Sequence, residues 1–154
     1  MTEPAQTGST TFSAAEAIDW TKGWWRGAHP AALAGVSTDT RQMTPGALYV
    51  AIKGPTFDGH AFARQAIDRG AAAVMMDSGA VVPEGIPALV VPGTAAALTA
   101  LAAGWRAAVD PTVVGITGSA GKTTVKELTA HLLGALGPTA KTLGNWNNSL
   151  GLPK

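Results

Sequence analysis

The stretch Thr112-Val-Val-Gly-Ile-Thr-Gly-Ser-Ala-Gly-Lys-Thr-Thr124 constrains this chain more than any other. Its apolar opening predicts a short buried strand over 113–116, running into a glycine loop and then a helical pattern. Strand, glycine loop and helix in that order form the context a phosphate-binding loop needs. Glycine lets backbone N–H groups close around phosphate oxygens with no Cβ in the way. The helix start adds unpaired N–H groups and a partial positive charge. In that setting Lys122 can reach the β and γ phosphates of a nucleotide, and the Thr123 hydroxyl can ligate Mg2+. The strict pattern asks for glycine where Ile116 stands, so the loop belongs to a less common subtype. The competing explanation is a glycine-rich turn beside a surface lysine. The strand before the loop and Lys122-Thr123-Thr124 within it argue against that.

A strand of this kind sits in a parallel sheet covered by helices on both faces. The chain has 154 residues and 46% hydrophobic content, enough to bury such a core. Charged residues make up only 14%, below the usual quarter or so. Much of the apolar fraction is alanine, which implies closely packed helices. A net charge of +1 gives no electrostatic case for nucleic acid or an acidic membrane. The absence of cysteine excludes disulfides and thiolate metal sites and fits a reducing compartment. No segment approaches the ~20 apolar residues of a membrane span. Residues 1–11 are polar and lack the basic start and apolar core of a secretory signal, so the expected location is cytoplasmic.

Along the chain, 1–11 reads as a loose tail. Ser13-Ala-Ala-Glu16 is a capping box that opens a helix to about Trp20, with Phe12 as a staple. Trp20, Trp24 and Trp25 are either a stacking platform or the cover of a small core, and the cover is the expected role. Strands are expected over 36–40, 48–52, 71–76 and 88–91, with a helix over 61–69 stopped by Gly70. Thr94 is the expected cap of a helix over 94–109, and a further helix spans 122–133. A short strand is expected over 140–143. Strands alternating with helices give an α/β fold. Its expected form is a small N-terminal α/β substrate-binding domain over 12–91. The first strand, phosphate loop and helix of a parallel-sheet ATP-binding domain then follow, over 92–154. One helix and one short strand after the loop cannot complete a nucleotide-binding sheet, so the chain is expected to be an N-terminal fragment. Asp77 ends an apolar run that precedes the loop, and is read as a strand-end turn residue rather than a metal ligand.

Three stretches together resemble the Mur ligases, which build the peptidoglycan stem peptide. The first is Asp39-Thr-Arg-Gln-Met-Thr-Pro-Gly-Ala-Leu-Tyr-Val-Ala-Ile-Lys-Gly54 with Phe57-Asp-Gly-His60. The second is Thr117-Gly-Ser-Ala-Gly-Lys-Thr-Thr124, similar to the family's ATP loop, whose form accommodates Ile116. The third is Thr142-Leu-Gly-Asn-Trp-Asn-Asn-Ser-Leu-Gly-Leu-Pro153 with Lys126-Glu127. It most resembles the branch that joins D-Ala-D-Ala to UDP-MurNAc-tripeptide. The resemblance implies ATP-driven amide bond formation. The terminal carboxylate is phosphorylated to an acyl phosphate, the amine attacks, and phosphate leaves. It implies that Lys122 and Thr123 act in the reaction, with Thr123 on Mg2+. ATP would be held by Thr117, Gly118, Ser119, Ala120, Gly121, Lys122, Thr123, Thr124, Asn147 and Asn148. The UDP end of the substrate would be held by Thr38, Asp39, Thr40, Arg41, Lys53, Gly54, Thr56, Phe57 and Asp58. Implied partners are the two small-molecule substrates, with no nucleic acid, no membrane insertion and a monomeric chain.

Other roles stay open at this point. Asp39 and Arg41 could be a local ion pair that fixes a turn, and Asp58-Gly59 is a good turn with or without a ligand. His60 is expected to start a helix rather than to catalyse. Other functions are a related ligase of the tripeptide-forming branch, another P-loop enzyme, or a non-catalytic nucleotide-binding module. The family's further acidic metal ligand, carbamylated lysine and C-terminal domain have no counterpart here, so the chain by itself is expected to be inactive.

Overall fold

The computed structural model describes residues 11–142. Of the expected tail over 1–11, residues 1–10 lie outside these residues, as do Asn147 and Asn148, while Thr11 belongs to a strand. Strand β1 (Thr11–Ser13) leads into α1 (Ala14–Thr21) through the expected capping box. Glu16 N–H donates to the Ser13 hydroxyl at 3.2 Å, and Ser13 N–H donates back to the Glu16 carboxylate at 2.7 Å. Lys22, with φ 56°, closes the helix in the left-handed region. β1 pairs antiparallel with β3 (Ala32–Ala34).

The main sheet has five strands in the order β2-β7-β6-β5-β4. Strands β4 (Val36–Ser37), β5 (Leu48–Val50), β6 (Ala73–Asp77) and β7 (Ala88–Val91) are parallel to their neighbours. Strand β2 (Trp24–Arg26) adds an antiparallel edge on β7. β5, β6 and β7 are buried on both faces, which explains their nearly unbroken apolar runs. Side chains alternate between the faces. Leu48, Val50, Met75 and Leu89 meet Leu98 and Leu101 of α3 (Thr94–Val109) and Ala17 of α1. Tyr49, Val74 and Met76 meet Ala63 and Ala66 of α2 (Ala63–Asp68).

Two of the three early tryptophans cover the first of these cores, as expected. Trp20 lies 5.8 Å from Phe12 and 6.5 Å from Trp105 between ring centroids. Trp25 packs on the same core and donates its indole N–H to Ala14 O at 3.1 Å. Trp24 is exposed. Gly104 is required where α3 crosses Trp20, because a Cβ there would stand 2.2 Å from Trp20 Cγ.

Several elements differ from expectation. The strand over 36–40 stops at Ser37, because the Asp39 carboxylate caps a 3-10 turn, Thr40–Gln42. The helix over 61–69 is a 3-10 turn, Gly59–Phe62, followed by α2. Gly93 rather than Thr94 is the N-cap of α3, and the Thr94 hydroxyl donates instead to Ala51 O at 2.7 Å. The expected domain division at 91/92 falls between β7 and α3, yet α3 packs on the same sheet as β7. The expected strand over 113–116 is not formed. Val113 and Val114 are 58% and 54% exposed, and no strand among the described residues pairs with them. A strand exists only through a hydrogen-bonded neighbour, and apolar sequence alone cannot provide one. Residues 140–142 likewise form no strand, and Leu143 lies outside the described residues. Helix α4 (Lys122–Gly134) does form, but buries none of its residues.

Candidate functional site

In a parallel sheet the strands' carboxyl ends share one edge, and ligands bind in the crevice outside that edge. The turns leaving β4 and β5 therefore lie together, beside the ends of β6 and β7. After β4, the Ser37 hydroxyl and backbone Asp39 O bond at 3.1 Å. Asp39 then makes a forked ion pair with Arg41: Nη2 to Oδ2 at 2.7 Å and Nε to Oδ1 at 3.0 Å. The hydrogen bond to Asp39 holds the Arg41 guanidinium above its already high ordinary pKa. The Arg41 side chain is 82% exposed, so the pair fixes the turn while leaving the guanidinium open to solvent. Thr40 is buried. Its hydroxyl donates to Gln65 Oε1 at 3.1 Å, and its carbonyl accepts from Arg69 at 2.9 Å. That hydroxyl faces α2 rather than the crevice.

After β5 the chain makes a narrow turn. Lys53 and Asp58 form an isolated antiparallel bridge, and Gly54 N–H donates to Phe57 O at 2.7 Å. Phe57 is half exposed and stacks on Phe62 with centroids 5.4 Å apart. Gly59 passes so close to the chain just leaving β5 that a Cβ would lie 2.8 Å from Ile52 N and O. Beneath it, the Tyr49 hydroxyl donates to Gly59 O at 3.1 Å. Burial pushes the Tyr49 phenol up from its ordinary pKa. Thr38, Lys53, Gly54 and Thr56 are partly or fully exposed at this edge.

The sequence did not single out the support beneath this turn. Asp58 accepts His60 N–H at 3.0 Å and His60 Nδ1 at 2.6 Å. The bond from the His60 backbone holds the Asp58 carboxyl below its ordinary pKa. His60 Nε2 lies 3.1 Å from Asp77 N–H at the end of β6. Asp77 Oδ1 accepts Thr94 N–H at 2.6 Å at the start of α3. Asp77 is thus the strand-end residue expected, and it is also a junction between β6 and α3.

The second candidate site is the glycine loop. Gly118 has φ +149° and Gly121 has φ +76°, conformations that L side chains resist. A Cβ on Gly121 would meet nothing within 4 Å, so space remains beside the loop. Gly121 is the N-cap of α4 and offers no side-chain bond to the first helical N–H groups. Lys122 opens the helix and turns its ammonium back over the loop, onto Gly118 O at 2.5 Å. Unmatched N–H groups, open space and a lysine over the loop fit a nucleotide's phosphates. For Mg2+ the fit is thinner. Thr123 offers a hydroxyl, but no group of three or more His, Asp or Glu among the described residues could hold a metal. Behind the loop, Lys126 donates to Thr142 O at 2.7 Å. Glu127 pairs with Lys141, whose hydrogen bond holds its carboxyl below the ordinary range.

Two family models match this chain in succession. The first, described as "Mur ligase family, catalytic domain", matches residues 32–106, and the second, "Mur ligase middle domain", matches residues 116–154. The chain belongs to the Mur ligase family. Its similarity to the UDP-N-acetylmuramoyl-tripeptide–D-alanyl-D-alanine ligase of Escherichia coli K12 is 48% identity over 118 residues, 77% of this chain and 26% of that protein. A crystal structure of MurF from Acinetobacter baumannii superimposes with TM-score 0.82 at 34% identity, over 93% of this chain and 32% of that one. MurF from Thermotoga maritima, solved in complex with ADP, gives TM-score 0.61 at 36% identity, over 77% and 27%. The chain spans about a quarter of the length of the curated Mur ligases it matches. Among the described residues no helix is long and apolar enough to cross a membrane.

Proposed function

We propose that this chain carries the nucleotide-sugar-binding domain and the opening of the ATP-binding domain of a ligase that joins D-Ala-D-Ala to UDP-MurNAc-tripeptide. The observation that carries this is the occurrence, in order on one chain, of strand-end turns at a sheet edge and a glycine loop capped by Lys122. The relatives named for that reaction favour it over the tripeptide-forming branch. The domain change lies after α3, between the stretches the two family models match.

The first domain holds the UDP end of the substrate. Turn amides at Thr38–Arg41 and Lys53–Asp58, with the Phe57 ring, grip uracil and ribose, and the Lys53 ammonium and Arg41 guanidinium face the diphosphate charge. In the second domain, loop amides over Thr117–Thr124 and Lys122 hold the triphosphate, Thr123 contributes a hydroxyl to Mg2+, and Asn147 and Asn148 reach substrate or phosphate. ATP supplies the phosphoryl group that turns the substrate's terminal carboxylate into an electrophile. This chain's residues position that group and offset its charge. The protein works in the cytoplasm as a monomer.

Replacing the matching stretch of the Escherichia coli ligase with residues 1–154 tests the reaction. Phosphate release that needs UDP-MurNAc-tripeptide, D-Ala-D-Ala and ATP together is the expected result. A folded chimera that binds UDP-MurNAc-tripeptide but releases no phosphate would overturn the proposal.

A further inference from the structure

His60 lies at the start of a 3-10 turn, with a side chain only 11% exposed, between two carboxylates. Asp58 faces it from its own turn and Asp77 from the end of β6, with Nε2 3.4 Å from Asp77 Oδ2. Lys53 acts on Asp58 from the far strand of the turn, and Thr94 approaches Asp77 from α3 without charge. An ionised carboxylate only accepts hydrogen bonds, so the 2.6 Å contact with Asp58 requires the proton on Nδ1. The Asp77 backbone N–H only donates, so the 3.1 Å contact requires a lone pair on Nε2. Both requirements are met by one species alone, the neutral ring with its proton on Nδ1.

From this we propose that His60 is a positioning residue. As a neutral Nδ1–H imidazole it ties the turn over 53–58 to the end of β6 and holds that turn ready for the uridine nucleotide. The inference rests on the proposed function, since it concerns the same crevice. Asp58 and His60 lie on one short segment, so the bond between them shapes the turn locally. The bond that Nε2 accepts from Asp77 N–H spans 17 residues and is the one that anchors the turn to the sheet. A turn fixed before binding saves the cost of ordering it when ligand arrives. His60 itself touches no substrate, so its effect appears in affinity. The two nitrogens are separable by substitution. Glutamine can place an amide oxygen near the Nε2 position, whereas asparagine can place an amide nitrogen near Nδ1.

The test is calorimetric titration of the 154-residue chain and its His60→Ala, His60→Asn and His60→Gln variants with UDP. Nitrogen NMR of the wild-type imidazole is recorded alongside. Wild type is expected to bind, His60→Ala and His60→Asn to bind about tenfold more weakly, and His60→Gln to stay within about threefold of wild type. The NMR spectrum should show one protonated nitrogen, Nδ1, in the free chain. Equal affinity in wild type and His60→Ala, rescue by asparagine instead of glutamine, or a proton on Nε2 would each overturn the inference while leaving the nucleotide site standing. No binding by wild type would remove the nucleotide site itself, and this inference with it. If His60→Ala fails to fold, the contrast between glutamine and asparagine and the wild-type NMR spectrum still decide.

Discussion

The two parts of this chain proposed to hold phosphate groups are built in opposite ways. The edge turns over 38–41 and 53–58 rest on a sheet whose central strands are fully buried and whose helices cover both faces. The glycine loop has the required backbone conformations and a formed helix behind it. Yet the segment leading into it is more than half exposed at Val113 and Val114, and α4 buries nothing. Loop geometry is a local property, set by Gly118 and Gly121 and by the propensity of the helix that follows. The strand that should brace the loop is not local, because it needs a neighbour.

The largest expected contrast is in the cores. Leu98→Ala removes a side chain that is 1% exposed and should cost about 2–5 kcal/mol in urea unfolding. Leu132→Ala on α4, where the side chain is 69% exposed, should change the same transition by no more than about 0.5 kcal/mol. Comparable losses would mean that α4 packs into the same cooperative unit.

The glycines sharpen the comparison further. Gly104→Ala drives a Cβ into Trp20 and should lower unfolding stability by about 1–3 kcal/mol, with a change in tryptophan fluorescence. Gly121→Ala meets no atom, so its effect should be confined to left-handed backbone strain and to weaker nucleotide binding. A melting temperature lowered as much by Gly121→Ala as by Gly104→Ala would show the loop to be part of the core.

Much of this was legible in the sequence, and the limits have physical causes. The capping box at Ser13, the apolar runs of β5 to β7, the span of α3 and the glycine loop are local patterns. β2 was missed because three residues on an edge carry no readable alternation. The buried Thr40 hydroxyl and the bridge from His60 to Asp77 were missed because each joins residues distant in sequence. The triplet Asp58-Gly-His60 was visible, but only the fold shows what the histidine meets. The stretch 113–116 has the residues of a strand, but no strand among the described residues pairs with it.

The smallest expected effect is the acid dependence of the edge turn. Hydrogen bonds from His60 hold the Asp58 carboxyl in the folded chain below its ordinary pKa. Its contribution is therefore present above that value and is lost as pH falls through the lowered folded one. Asp58→Asn should lower the melting temperature slightly near neutrality and flatten its acid limb, so that variant and wild type converge as pH falls. An unchanged acid limb would assign the loss to other carboxylates.

We propose that the sheet edge is a preformed nucleotide site, whereas no strand among the described residues braces the glycine loop. Amide hydrogen exchange with and without UDP tests it most directly. Free, the backbone of β5 to β7 should exchange slowly and residues 112–120 rapidly, and UDP should slow residues 38–41 and 53–58 alone. Strong protection of 112–120 in the free chain, or UDP protection that bypasses both edge turns, would contradict it.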